Sequence, residues 1–371
     1  MRKLQLDLLR ALAIVLVLGH HMSPAPPELP ALVQDFLSGW RKVGWIGVDL
    51  FFVLSGFLIS GLLYKEYAET GGFHLGRFLV RRGLKIYPSY YAFLVLSLPA
   101  IAWMPGVLTP KSFCSEALFV SNYFDNIWGH TWTLCVEEHF YLLLALSFFI
   151  ATSKKAWFKY FIPGCILFLV LPLCLRWMVI HQIPYHEKPH YAVTAFRLDA
   201  LTFGVLLSYF YHQHEQKLKA AVKRFSLILV PIGFALIFPC ALGGHEQLYL
   251  YTFGLTALYM GWGLLLLVAM SYDLQTKNKL IVLLAQVGVF SYSIYLWHKP
   301  FSGLCSLPSE WWPGHLGASA RLLTYFVGSL TVGILMSKGI EWPVLRLRDR
   351  LFPSRYSGVG SVPIPEPDTL K

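Results

Sequence analysis

An all-α, multi-pass membrane bundle is what this sequence predicts, and three observations carry the prediction. The 371 residues are 56% hydrophobic and 14% charged, whereas about 25% of an ordinary soluble chain is charged. The apolar residues come in unbroken runs of roughly the length that crosses about 30 Å of hydrocarbon. The runs also lack the alternation of a β-barrel, so the backbone polar groups have to be satisfied inside helices.

Ten spans are expected: Leu4 to Met22, Gly44 to Leu63, Ile86 to Trp103, Thr131 to Ile150, Trp157 to Val179, Val193 to Tyr211, Ser226 to Leu242, Leu248 to Met270, Leu280 to Trp297 and Leu322 to Ile340. That leaves no room for a sizeable water-soluble domain. Alternate connections hold roughly twenty basic residues against four in the others (Arg41, Lys42, Lys111, Lys188), which puts both termini in the cytoplasm and the protein in the cytoplasmic membrane. The net charge of +11 is therefore mostly a topology signal with contact to anionic lipid, and nucleic acid is not expected as a partner. A cleaved N-terminal signal peptide is the competing reading of Met1-Arg2-Lys3 and its apolar sequel, but Asp7 and Arg10 interrupt that sequel. Residues 1–345 form the membrane domain and 346–371 a cytoplasmic tail, which reads as disordered from its Pro, Gly and Ser content. The six cysteines are scattered without ligand spacing, so neither a disulfide framework nor a metal site is expected.

Charged groups inside spans are costly unless paired or hydrated, and each is a candidate for function. In the first span, Arg10 and His21 are eleven residues and about 16 Å apart, about three helical turns, so they share one face, with Asp7 on it one turn before Arg10, while His20 points some 100° away. A structural Asp7–Arg10 pair with an interfacial His21 is the plainer alternative. Asp49 is the only acid in the second span. Gly44, Gly47, Ser55, Gly56, Ser60 and Gly61 around it are read as helix-packing residues. Next, Arg77, Arg81 and Lys85 stack at four-residue spacing, with Arg82 beside them, as a basic ridge at the membrane surface. That ridge suits phosphates, although a positive-inside anchor explains the charge equally well. Glu137 and Glu138 open the fourth span, Arg197 and Asp199 the sixth, and His298 closes the ninth. All three groups are expected at the level of His21 and Asp49, a convergence that packing alone does not explain.

Together these segments resemble the acyltransferase-3 family of membrane O-acyltransferases, over the chain from Leu6 to Pro343. An LDGLRA-type start with Arg and, eleven residues on, His is met by Leu6 to Ala11 and His21. The GVDLFFVLSGFLI segment is met from Gly47 to Ile59, and RRxxRIxPxY from Arg81 to Tyr90. The tryptophan segment with paired Glu resembles Trp132 to Tyr141, the YSxYLxHxP ending Tyr292 to Pro300, and the late E-x-P Glu341 to Pro343. Three departures are Leu8 for Gly, Lys85 for Arg and Thr133 for Ser. Lys85 keeps the charge but not the planar fork of an Arg.

The resemblance implies transfer of an acyl group, usually acetyl, from a cytosolic acyl-CoA to a hydroxyl on a carbohydrate, lipid-linked glycan or secondary metabolite, with no bound cofactor. Some members of the family carry an extra hydrolase-like domain; with little sequence after its tenth expected span, the chain is expected to resemble the type that stands alone. The residues then suggest a mechanism. Arg77, Arg81, Arg82 and Lys85 hold the phosphates of acyl-CoA, and the pantetheine arm runs inward past Arg10, with Tyr90 and Asp199 among the substrate contacts. His21 is general base or transient acyl carrier. Asp49 or Glu137 orients it, and Arg197 or His298 stabilises the oxyanion. The alternative from another class is a glycan or lipid transporter with a buried His/Asp relay.

Overall fold

The computed structural model describes residues 3–101, 106–153, 160–182, 188–243, 247–305 and 317–353. All regular structure among the described residues is helical. In chain order the helices are α1 (Leu4–His21), α2 (Ala31–Val43), α3 (Gly47–Thr70), α4 (Leu75–Leu96), α5 (Leu98–Ile101), α6 (Pro110–Ala117), α7 (Trp132–Ser153), α8 (Phe161–Gln182), α9 (Leu198–Gln213), α10 (Glu215–Arg224), α11 (Ser226–Leu242), α12 (Leu255–Ser271), α13 (Lys279–Val289), α14 (Ser291–Cys305), α15 (Ala318–Met336) and α16 (Trp342–Leu351).

The protein is a multi-pass membrane bundle. Six helical stretches among the described residues are long and apolar enough to cross a bilayer, and two bent pairs raise the number to eight. The pairs are α10 with α11, bent by 82°, and α13 with α14, bent by 74°. Two of the ten expected spans fall short of that test. The helix covering Ile86 onward begins at Leu75 and carries Arg77, Arg81, Arg82 and Lys85 in its first half. The stretch from Val193 is split by a 3-10 turn at Thr194–Phe196, leaving α9 with 16 residues, about 24 Å of helix. Both helices nevertheless pack inside the bundle.

Close packing explains several of the small residues. A Cβ on Gly56 would come within 1.9 Å of the Leu201 carbonyl oxygen, and one on Gly204 within 2.3 Å of the Val53 carbonyl oxygen, so α3 and α9 touch backbone to backbone. Ser55 and Ser60 instead use their hydroxyls, Ser55 with Tyr141 and Ser60 with the Gly56 carbonyl. Apolar side chains such as Leu167, Val170, Leu227 and Phe234 face outward, as a lipid-exposed surface requires.

One end of the bundle collects cations from distant stretches. Lys3 donates to the Tyr211 hydroxyl at 2.6 Å, Tyr211 to Glu215 at 2.8 Å, and Lys219 pairs with Glu215 at 3.0 Å. We call this the basic end. The opposite end carries His21, the loop before α7 and Lys299.

The last helix differs from expectation. Residues 346–351, assigned to the tail, belong to α16 and lie along α4; residues 354–371 fall outside the described residues.

Candidate active site

His21 ends α1 and meets His298 of α14, with His298 Nε2 at 3.1 Å from His21 Nδ1. His298 Nδ1 faces the Tyr295 carbonyl at 2.6 Å, and His21 Nδ1 also lies 3.1 Å from the Val17 carbonyl. Carbonyls only accept, so in the neutral pair His298 Nδ1 and His21 Nδ1 each carry the hydrogen. His298 then offers its Nε2 lone pair to His21, and His21 is left with a bare Nε2. That assignment makes a partly accessible imidazole into a base held from behind. Ser302 adds a hydroxyl donated to the His21 carbonyl at 2.6 Å. His20 points elsewhere, its Nδ1 on the Arg41 carbonyl at 3.1 Å, as the helical spacing predicts.

Below this pair lies a second polar group. The Arg82 guanidinium stacks over the Tyr141 ring at 3.9 Å and comes within 3.8 Å of Glu137. Tyr141 donates to Glu137 at 2.8 Å and meets Ser55. Glu137 is thus committed to Arg82 and Tyr141, and Asp49 to Arg197; the partner of His21 is His298, where a carboxylate was expected. Tyr295 connects the two levels, its hydroxyl 2.7 Å from that of Thr133 on α7.

Nearer the basic end, Lys85 pairs with Glu341 at 3.6 Å, and Glu341 accepts from Ser293 and Ser337 at 2.9 and 2.8 Å. Arg82, Arg10 and Arg348 all act electrostatically on Lys85. Arg10 pairs with Asp7 at 3.0 Å, as the plainer alternative has it. The basic ridge of α4 exists, but its partner is the chain itself. Arg77 donates to the Pro353 carbonyl, and Arg81 donates to the Phe352 carbonyl and pairs with Asp349 at 3.1 Å. The Phe352 carbonyl is one that the end of α16 leaves without a helical donor, and that of Pro353 lies just beyond it. Of the four expected phosphate ligands, Arg82 and Lys85 turn into the bundle while Arg77 and Arg81 hold α16.

The remaining expected residues lie in two closed networks. Arg197 pairs with Asp49 at 2.9 Å and Arg176 with Asp199 at 2.8 Å, all four at 0–2% side-chain exposure. Arg197 also sits over the Tyr191 ring at 4.5 Å. Neither Arg197 nor Asp199 is left open to a substrate. Arg176 escaped the sequence reading, although a lone guanidinium inside an apolar run was the available signal. Tyr90 is fully buried and donates to Glu116 at 2.8 Å. Glu116 also accepts from the backbone N–H groups of Ile127 and Trp128 at 3.0 and 3.1 Å and from the Thr131 hydroxyl at 3.0 Å. It thereby folds the loop that leads into α7. That loop carries His130, a third imidazole at the site, which the reading from Trp132 onward left out.

The fold and the site define the class: a helical membrane-bundle protein with an imidazole pair at one end and inward-turned cations toward the other. The chain belongs to the acyltransferase domain family, which it matches over residues 3–338. It is similar to the peptidoglycan O-acetyltransferase OatA of Listeria monocytogenes, 28% identical over 326 residues, 80% of this chain and 48% of that protein. The O-acetyltransferase OatA of Staphylococcus aureus is 29% identical over 317 residues, 80% of this chain and 50% of that protein. The chain thus spans about half the length of these curated relatives. No solved structure matches it.

Proposed function

We propose that this chain is a membrane-bound O-acyltransferase that moves an acyl group, acetyl in the simplest case, from acyl-CoA to a hydroxyl of a carbohydrate. The observation that carries the reading is the row of polar side chains through the bundle. It runs from Arg10, Lys85 and Glu341, through Arg82, Glu137 and Tyr141, to Tyr295, His298 and His21. Both termini and the basic end are assigned to the cytoplasm, and the imidazole pair to the outer side of the cytoplasmic membrane.

In this reading Arg10, Arg82 and Lys85 receive the phosphates of acyl-CoA from the cytosol, since a polyanionic headgroup needs several cations. The acyl thioester reaches His21 along the row. His21 Nε2 removes the proton from the acceptor hydroxyl, whose oxygen attacks the thioester carbonyl carbon; the C–S bond breaks, and the thiolate takes the proton back from the imidazolium. His298 Nε2 accepts from His21 Nδ1–H throughout and spreads the positive charge. The name of the Listeria relative supports peptidoglycan as the acceptor.

The test uses protein in proteoliposomes, radiolabelled acetyl-CoA and cell-wall glycan fragments. Wild-type protein produces base-labile acetyl ester on the glycan and His21→Ala does not; equal transfer by both overturns the assignment. A trapped acetyl adduct on His21 after rapid quenching makes it an acyl carrier. The same polar row also suits a glycan or lipid carrier. Glycan crossing the bilayer without acetyl-CoA consumption decides for that reading.

A further inference from the structure

α14 contains Pro300, and a proline has no N–H to give the carbonyl four residues before it, here that of Leu296. His130 supplies the missing donor. Its Nε2 lies 3.2 Å from the Leu296 carbonyl oxygen. Because a carbonyl only accepts, His130 carries its hydrogen on Nε2. The imidazole is buried at 2% exposure. Its ring stands 5.0 Å from that of His298 at 79°, edge to face.

The connection is made twice. The Tyr295 hydroxyl donates back to the His130 carbonyl at 2.8 Å, so adjacent residues of α14 are tied to one residue of the loop. Glu116 anchors that loop through Ile127, Trp128 and Thr131. Pro300 thus opens a gap in the helix two residues from His298, and a braced loop closes it with an imidazole.

We propose that His130 is a positioning residue for acyl transfer: as donor to the carbonyl freed by Pro300, packed edge-on against His298, it holds His298 where its Nε2 receives the His21 Nδ1–H. This rests on the reading of His21 as the reacting imidazole. His130 meets the polar row at Tyr295 and His298 and makes no hydrogen bond to His21 among the described residues, so its effect on His21 passes through His298.

The experiment pairs kinetics with a thermal cycle on detergent-purified full chain. His130→Ala lowers kcat by about 100-fold, the scale of a reacting group displaced by about an ångström, with KM for acetyl-CoA unchanged within about twofold. His130→Gln, whose amide nitrogen reaches a similar point and still donates, recovers kcat to within about tenfold of wild type. A His130→Gln as impaired as His130→Ala, or a His130→Ala near wild type, overturns the proposal. The cycle needs no activity. Pro300→Ala restores an N–H for Leu296, so His130→Ala lowers Tm by about 2–4 °C in the wild-type background and by less than half of that in Pro300→Ala. Equal losses in both backgrounds overturn the clamp. A wild-type protein that transfers no acetyl group defeats the function on which the proposal rests, while the thermal cycle still decides whether His130 serves Leu296.

Discussion

Two buried ionisable clusters lie in the same bundle, and the members the sequence points to, all but Arg176, are expected there at one level. In the first, Asp49, Arg197, Arg176 and Asp199 pair off at 2.8–2.9 Å with almost no exposure. Every charge there has its opposite, and all four side chains are buried. In the second, His21 and His298 are held through one nitrogen each by backbone carbonyls and by each other, and among the described residues His21 Nε2 has no hydrogen-bond partner. The difference teaches how to sort costly groups inside a membrane. A charge cancelled by a neighbour stabilises an arrangement of helices, whereas a polar group satisfied on one side only is set up for chemistry.

Substitutions sharpen that contrast. The largest effect on transfer is expected from His21→Ala, a loss of about 10²–10⁴-fold for a missing general base, with Tm unchanged. A similar loss accompanied by a collapse in Tm puts His21 with the structural cluster. Asp49→Ala should do the reverse. It strands Arg197 and destabilises the fold by about 3–5 kcal/mol, seen as low yield of monodisperse protein. Removing both partners, as Asp49→Leu with Arg197→Met, should bring back most of that stability and leave transfer measurable. Persistent inactivity of a stable double variant gives the quartet a role in the reaction.

A smaller effect separates the cations of α4. Arg82→Gln is expected to raise KM for acetyl-CoA by about tenfold, equivalent to one charge-assisted contact of about 1.4 kcal/mol. Arg81→Gln should change KM by less than about twofold and loosen α16, seen as faster proteolysis of the C-terminal segment, at the scale of about 1 kcal/mol for a lost cap. Reversed results return the phosphates to the outer ridge. The smallest expected effect is that of His20→Ala. Its ring faces the Arg41 carbonyl, and transfer should stay within about threefold of wild type by the ordinary tolerance of surface positions.

Much of this was legible one helix at a time. Arg10, Asp7 and His21 lie on a common stripe because a helix advances by a constant angle, and His20 departs for the same reason. The four-residue ridge from Arg77 to Lys85 is real, yet the same periodicity says nothing about what faces it, and α16 faces it. His130 was missed because its role depends on a carbonyl 166 residues away, exposed by a proline in another helix.

By itself, the sequence determined that the chain spans a membrane as helices, which of its groups are too polar for lipid, and their order along each helix axis. These follow from hydropathy and from a backbone geometry that is the same in every helix. Tertiary structure alone decided which groups meet. The shift and rotation of one helix against another come from contacts such as Gly56 on the Leu201 carbonyl, and a small slide there would take Asp49 away from Arg197. Partner choice is a property of packed surfaces, and only the assembled bundle has them.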